Sequence, residues 1–170
     1  MLLKKLKILV VFEVPEAKEK SSPQFFLQFP DWQDEKDVIR ALKKLGHHVS
    51  VVGLAKNIKN FILEVEKKKP DLIFNLCDTF QNNREYEANI PSICELLNIP
   101  YTGASPLSLH ICQDKAIQKK IISYDQKIKL PKFLTITKDE SLPNFNKLSY
   151  PVFVKPLNLE ASEGISQKSY

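Results

Sequence analysis

Apolar residues along this chain follow two alternating rhythms. Apolar-rich runs occur at 6–12, 49–54 and 71–76, the first interrupted only by Lys7, the second by Ser50 and Gly53, and the third opening on Asp71 and broken by Asn75. Runs of that length predict β-strands buried on both faces. Between and after them the apolar positions fall three and four apart. Val38, Ile39, Leu42 and Leu45 form one set, Ile58, Phe61, Ile62 and Val65 a second, and Ile90, Ile93, Leu96 and Leu97 a third. This spacing predicts three amphipathic helices. Asp34 is placed to cap the first and Gly46 to stop it, and Pro70 ends the second. A short fourth strand is predicted at 99–102. Strands alternating with helices imply a parallel sheet covered on both faces, a Rossmann-like α/β architecture. Ligands of such sheets bind beyond the carboxyl ends of the strands. Here those ends lie near Glu13, near Leu54, at 75–78 and at 102–105.

The texture changes at Asp114. Residues 114–124 predict a helix carrying Lys115, Lys119 and Lys120, with Ile117, Ile121 and Ile122 on its apolar side. An extended segment at 129–136 and a polar connection at 138–149 follow. Residues 150–170 predict a hairpin. Its first strand, Val152, Phe153 and Val154, delivers Lys155 and Pro156, and a small polar loop with Ala161, Ser162, Glu163 and Gly164 turns into a second strand. These changes divide the chain into a domain at 1–113 and the start of another at 114–170. The segment between Glu13 and Gln33 holds Pro15, Pro23 and Pro30 beside Phe25, Phe26, Phe29 and Trp32. A loop of that length is either functional or disordered.

Composition narrows the class. Hydrophobic residues make up 43% and charged residues 26%, as in a soluble globular protein, and no run approaches a membrane span. The lysines before the first apolar run precede a strand, since that run is short and no small-residue cleavage site follows it; a cytoplasmic location is the default expectation. The three cysteines, Cys77, Cys94 and Cys112, form no C-x-x-C pair and are read as buried reduced thiols. His47 and His48 begin a strand and join no ligand cluster. The net charge of +5 is spread over helix faces, without a basic stripe interleaved with aromatics, so nucleic acid is not an expected partner.

The residues with the most chemistry to offer lie late in the chain. A strand ending in a lysine beside a small-residue loop is one way to grip phosphates: the lysine supplies a point charge and the loop supplies backbone N–H groups. Four segments add up to a resemblance. They are Asp71-Leu72-Ile73-Phe74-Asn75-Leu76-Cys77, then Glu95-Leu96-Leu97-Asn98-Ile99-Pro100-Tyr101-Thr102-Gly103, then Gln113-Asp114-Lys115-Ala116 with Lys119 and Lys120, and finally 150–166. In order and content they resemble the ATP-grasp ligases, in particular the D-alanine–D-alanine ligase-like branch, over its front half only. The branch's phosphate loop typically reads V-K-P-A-N-L-G-S-S-V-G-I-S; this chain reads V-K-P-L-N-L-E-A-S-E-G-I-S in the same register.

The resemblance implies a pre-ATP-grasp α/β domain followed by the beginning of an α+β ATP-grasp domain. It implies ATP-dependent joining of a carboxylate to an amine through an acyl phosphate, with an amino acid or small peptide as substrate. Carried over by position, Lys115 and Lys155 hold ATP phosphates, while Ser162, Glu163, Gly164 and Ser166 belong to the loop that closes over them. Asp78 and Glu85 fall in the stretch that helps place substrate. No catalytic residue and no metal ligand is assigned. The family's magnesium ligands belong to the part that follows the matched half, so Mg2+ is implied as a cofactor without ligands here. The expectation is the amino-terminal portion of such a ligase, cut short and inactive alone; the alternative is a non-catalytic remnant that binds a nucleotide or a partner. Relatives pairing through the first domain make a homodimer possible. Three departures bear on substrate. The place after strand one reads Phe12-Glu13-Val14-Pro15-Glu16 without the family's glycines. The stretch after strand three, 78–85, also lacks glycine. Glu160 and Glu163 stand in the phosphate loop where the pattern has Gly and Val, and a carboxylate repels phosphate unless a cation intervenes.

Overall fold

Strand β1, Lys7–Glu13, is the axis of the fold. Residues 8–12 are fully or almost fully buried, and period-two alternation deals them to two separate cores. Leu9 and Val11 join Val52, Leu54, Phe61, Val65, Ile73, Ile90 and Cys94 on one side. Ile8, Val10 and Phe12 join Val14, Phe26, Ile39 and Ala55 on the other. The computed structural model describes residues 4–15, 23–125, 127–159, 162 and 164–169. They fall into two units, Met1–Pro106 and Leu107–Tyr170.

In the first unit β1 lies between β2 (His48–Leu54) and β3 (Leu72–Asn75), all parallel, in the order β2-β1-β3. This is the α/β sheet that the apolar runs predict. Polar groups fasten both ends of β1. The Lys7 amide donates to Asp71 Oδ2 at 2.7 Å and the Asp71 amide returns a bond to the Lys7 carbonyl at 2.8 Å. At the other end the Val14 amide donates to the Leu54 carbonyl at 2.6 Å. Gly53 makes that crossing possible, because a Cβ there would sit 2.7 Å from Val14 Cγ1.

The predicted fourth strand is reduced to a bridge between Ile73 and Tyr101. The Ile73 amide donates to the Pro100 carbonyl and the Thr102 amide to the Ile73 carbonyl, but the next amide, Asn75, donates to the Thr102 hydroxyl instead. Gly103, at φ 107°, then turns the chain away.

Helix α1, Pro23–Phe26, is a single turn followed by a 3-10 turn at Pro30–Trp32. Phe26 is buried with its ring 5.1 Å from that of the half-buried Trp32, so these two aromatics of the long loop pack on the core while Phe25 and Phe29 stay exposed. Residues 16–22 of that loop lie outside the described residues. Helix α2 spans Gln33–Lys44 and α3 spans Ile58–Lys68. Asp34 is not the cap of α2: Trp32 holds that position without a side-chain bond to the helix amides, and Asp34 lies in the first turn, where its charge favours the helix N-terminus. Gly46 does follow the helix, at φ 88°. Asn57 caps α3 by accepting from the Lys59 amide, and Lys69 ends it in the left-handed region, just before Pro70. Helix α4 is Asn89–Leu96.

Helix α5 (Pro106–Gln113) and helix α6 (Lys115–Ile122) follow. Beyond them the described residues form only 3-10 turns, at Phe145–Lys147 and Gln167–Ser169. The hairpin predicted for 150–170 is therefore absent among the described residues. Among the described residues, one backbone bond, from the Val154 amide to the Ser169 carbonyl at 2.7 Å, joins its two arms. A lone bond is no ladder, and Phe153 and Val154, 56% and 69% exposed, have no sheet to pack on. Among the thiols, Cys77 and Cys94 are buried as expected but Cys112 is exposed, since α5 contributes no buried residue.

Candidate functional site

At the carboxyl ends of the strands, Glu13 is the centre of the polar contacts. Its carboxylate accepts from the Thr79 hydroxyl and, at 2.9 Å, from the Asn82 amide; its carbonyl accepts from Trp32 Nε1 at 3.3 Å. The 78–83 loop reaches it by a tight reversal. Gln81 and Asn82 adopt φ of 58° and 56°, and Phe80 and Asn83 exchange backbone bonds at 3.1 Å each. Asn and Gln carry this turn in place of glycine, asparagine being among the residues that tolerate the left-handed region. Gln81 Nε2 fastens the loop to the Lys56 carbonyl at 3.1 Å.

Negative charge collects at this end of the sheet. Burial pushes the Glu35 carboxyl above its ordinary range, with Asp34 and Asp78 adding to the shift. Burial, helped by Glu13 and Asp78, raises the Cys77 thiol far out of reach of neutral pH. Cys94 is pushed up to about 11, again chiefly by burial. Neither thiol is a nucleophile in this state. Asp78, exposed, thus stands in the electrostatic neighbourhood of Glu35 and Cys77. Glu85 is exposed on the 3-10 turn Arg84–Tyr86, where its amide donates to Asn83 Oδ1 at 2.9 Å. No described interaction joins Asp78 to Glu85. Among the described residues, no group of three His, Cys, Asp or Glu side chains is arranged to hold a metal ion. Glu13 and Thr79 escaped the sequence reading as site residues; the available signal was a carboxylate ending a fully buried strand.

In the second unit, Asp114 caps α6 by accepting from the Ala116 and Ile117 amides at 2.8 and 2.9 Å. The cap fixes Lys115 in the first helical position. The Lys115 ammonium donates to the Leu157 carbonyl at 3.1 Å and to the Leu159 carbonyl, and its amide donates to Leu157 at 3.4 Å. The segment carrying Lys155 is thereby attached to the helix carrying Lys115. Lys155 itself is exposed. Gly164, at φ 70°, lies so close to Pro156 that a Cβ would meet Pro156 Cγ at 2.7 Å, and Ser162 has φ 64°. Ser166 accepts from the Lys168 amide through its hydroxyl and donates its own amide to Ser169 Oγ. Lys155, Ser162, Gly164 and Ser166 therefore share one small loop tied to Lys115. Glu163 lies outside the described residues. Further along α6, the Lys119 ammonium sits 5.0 Å from the centre of the Phe133 ring.

The first unit is an open parallel α/β domain, and a solved structure shares the fold. The crystal structure of D-alanine--D-alanine ligase from Bacillus anthracis complexed with ATP matches 90% of this chain and 48% of that one, with a TM-score of 0.67 at 24% identity. Curated sequences add the family. D-alanine--D-alanine ligase A of Bacillus cereus is 33% identical over 117 residues, 68% of this chain and 37% of that protein. The D-alanine--D-alanine ligase of Bacillus anthracis strain CDC 684 is 36% identical over 118 residues, again 68% of this chain and 37% of the relative. The chain is therefore a relative of the D-alanine–D-alanine ligases, matching their amino-terminal part, as the four segments imply. It spans about two fifths of the length of the curated relatives it matches. No protein-family model matches it.

Proposed function

We propose that the chain is the amino-terminal portion of an ATP-dependent carboxylate–amine ligase, with 1–113 as its pre-ATP-grasp domain and 114–170 opening the ATP-grasp domain. In that reaction a substrate carboxylate oxygen attacks the γ-phosphorus of ATP and ADP leaves. The amine nitrogen then attacks the acyl phosphate carbon, a C–N bond forms, and phosphate departs with loss of the amine proton. Phosphoryl transfer of this kind depends on positioning and charge neutralisation more than on covalent help from the protein. The observation that carries the reading is the attachment of the Lys155 loop to Lys115, which gives one unit two lysines and a small-residue loop. Lys115 and Lys155 are assigned to the ATP phosphates, with Ser162, Glu163, Gly164 and Ser166 in the covering loop.

Asp78 and Glu85, with Glu13, are assigned to the amino group of an amino acid or small peptide at the negative end of the sheet. Mg2+ belongs to the proposed reaction, but the described residues offer no cluster for it, so no step is assigned to it here. A cytoplasmic location is part of the proposal; separately, no described helix is long and apolar enough to cross a membrane. These 170 residues are proposed to bind nucleotide without completing ligation. Calorimetric titration with ATP tests this: heat of binding that disappears in Lys155→Ala is the expected result, and no heat at millimolar ATP overturns it.

A second reading has its own support. Ile117, Ile121, Phe153 and Val154 of the second unit are all exposed, as befits a module whose role is to bind a partner and which has no chemistry of its own. A homodimer falls within either reading, and sedimentation equilibrium of the chain decides it.

A further inference from the structure

The Lys115 side chain is committed to main-chain carbonyls. An ammonium has three N–H donors. Two of them go to the carbonyls of Leu157 and Leu159, and the Leu157 carbonyl also takes the Lys115 amide. The chain bends at Leu157 and Asn158, between those two acceptors. One cation bonded to carbonyls two residues apart holds such a bend closed. Gly164 lies close beside the clipped segment, since a Cβ added there would come 3.5 Å from Leu159 Cδ1 and 2.7 Å from Pro156 Cγ. The path runs from the capped first turn of α6, through one ammonium, to the loop that holds Ser162 and Gly164.

We propose that Lys115 is a positioning residue: it clips the 157–159 bend to α6 and so sets the shape of the small-residue loop, keeping one N–H for an anion. The clip requires no nucleotide. Only the use of the third N–H rests on the reading that the loop binds ATP phosphates. Among the described residues, the loop without the clip has the Val154–Ser169 bond and its own serine turns to hold it. A lysine read from sequence as a phosphate ligand therefore has a second task that any nucleotide must accommodate.

Hydrogen–deuterium exchange of the full chain without nucleotide tests the clip. Lys115→Ala is expected to speed exchange of the amides of residues 157–159, 162 and 164–166 by about ten- to hundred-fold, the range for losing a charge-assisted bond. Amides of β1 and of the last turn of α6 should keep their rates, Lys115→Arg should retain most of the protection, and Lys155→Ala should leave the loop unchanged. Unchanged exchange at those amides in Lys115→Ala overturns the proposal. So does equal loosening in Lys155→Ala, which would make the loop indifferent to which lysine is lost. Loss of α6 protection together with the loop in Lys115→Ala would also overturn it, since the residue would then be holding the helix. Titration of the same proteins with ATP separates the two readings. If ATP binds none of them, the nucleotide reading fails while the exchange result still decides the clip. If ATP binds, Lys115→Ala should weaken it at least about ten-fold, and undiminished affinity removes the third N–H from the proposal.

Discussion

The two units of this chain are organised by different forces. All the described buried hydrophobic residues except Ala116 lie in the first unit, where β1 feeds a core on each side of the sheet. The second unit leaves Ile117, Ile121, Leu142, Phe153 and Val154 exposed, and its order comes from polar clips: the Asp114 cap, the Lys115 ammonium and the serine turns near Ser166. Apolar burial is cooperative and insensitive to a single hydrogen bond, whereas a clipped loop depends on each clip. Stability therefore resides in the first unit, and the second is adjustable one bond at a time.

The largest expected effect compares one aromatic from each unit. Phe61→Ala, emptying a fully buried site, should cost about 3–5 kcal/mol in urea denaturation, while Phe153→Ala, 56% exposed, should stay within about 0.5 kcal/mol. Similar costs for the two would break the contrast. A finer comparison uses two glycines that face equal crowding, each with a virtual Cβ 2.7 Å from a neighbour. Gly53→Ala pushes on Val14 inside a packed sheet and should lower stability by about 1–3 kcal/mol. Gly164→Ala strains an exposed loop at φ 70° and should cost about 1 kcal/mol or less, confined to that loop. Thermal melts of both variants check the order, and a larger loss for Gly164→Ala reverses it.

Thiol chemistry gives a third comparison. In the native chain a thiol reagent should label Cys112 quickly and Cys77 and Cys94 only on unfolding, because burial withdraws both of the latter from solvent and raises their thiols. Rapid labelling of Cys77 in the native state would mean that the first unit opens more readily than its core implies. The smallest effect concerns charge. Burial raises the Glu35 carboxyl above 4.5, so the folded state favours the protonated form. That contribution is intact below the unfolded value and is lost as pH rises through the folded one. Glu35→Gln should therefore stabilise the chain slightly at pH 7 and make no difference at pH 3; a variant less stable at pH 7 would show that the carboxylate is held by an attraction.

Much of the first unit was legible because strands that feed a core leave apolar-rich runs, and β1, β2 and β3 appear within a residue or two of where those runs lie. Less legible was anything decided by a partner. The 150–170 hairpin had strand-forming residues in Val152, Phe153 and Val154, but a strand exists only with a neighbour to bond. Helix α5 carries Leu107, Leu109 and Ile111 at alternate positions, a spacing without a helical face, and Pro106 at its start was the available cue. Asp34 and Trp32 compete within one turn for the cap, and residue preference alone chose wrongly. At the candidate site, residue types pointed to Lys115 and Lys155, but the link between them runs through the carbonyls of Leu157 and Leu159. Every residue has a carbonyl, so no pattern of side chains announces that link.

The double burial of β1 has a consequence for alignment. In a strand with one wet face, a shift of one residue turns greasy groups toward water, and solvent itself rejects the error. Residues 8–12 are apolar throughout, so solvent has no preference between the two frames. The choice falls to the tips: the mutual bonds of Lys7 and Asp71 at the start, and the bonds of Val14 to Leu54 and of Glu13 to Asn82 at the finish. A few hydrophilic contacts at the margins thus keep the most hydrophobic stretch of the molecule in frame.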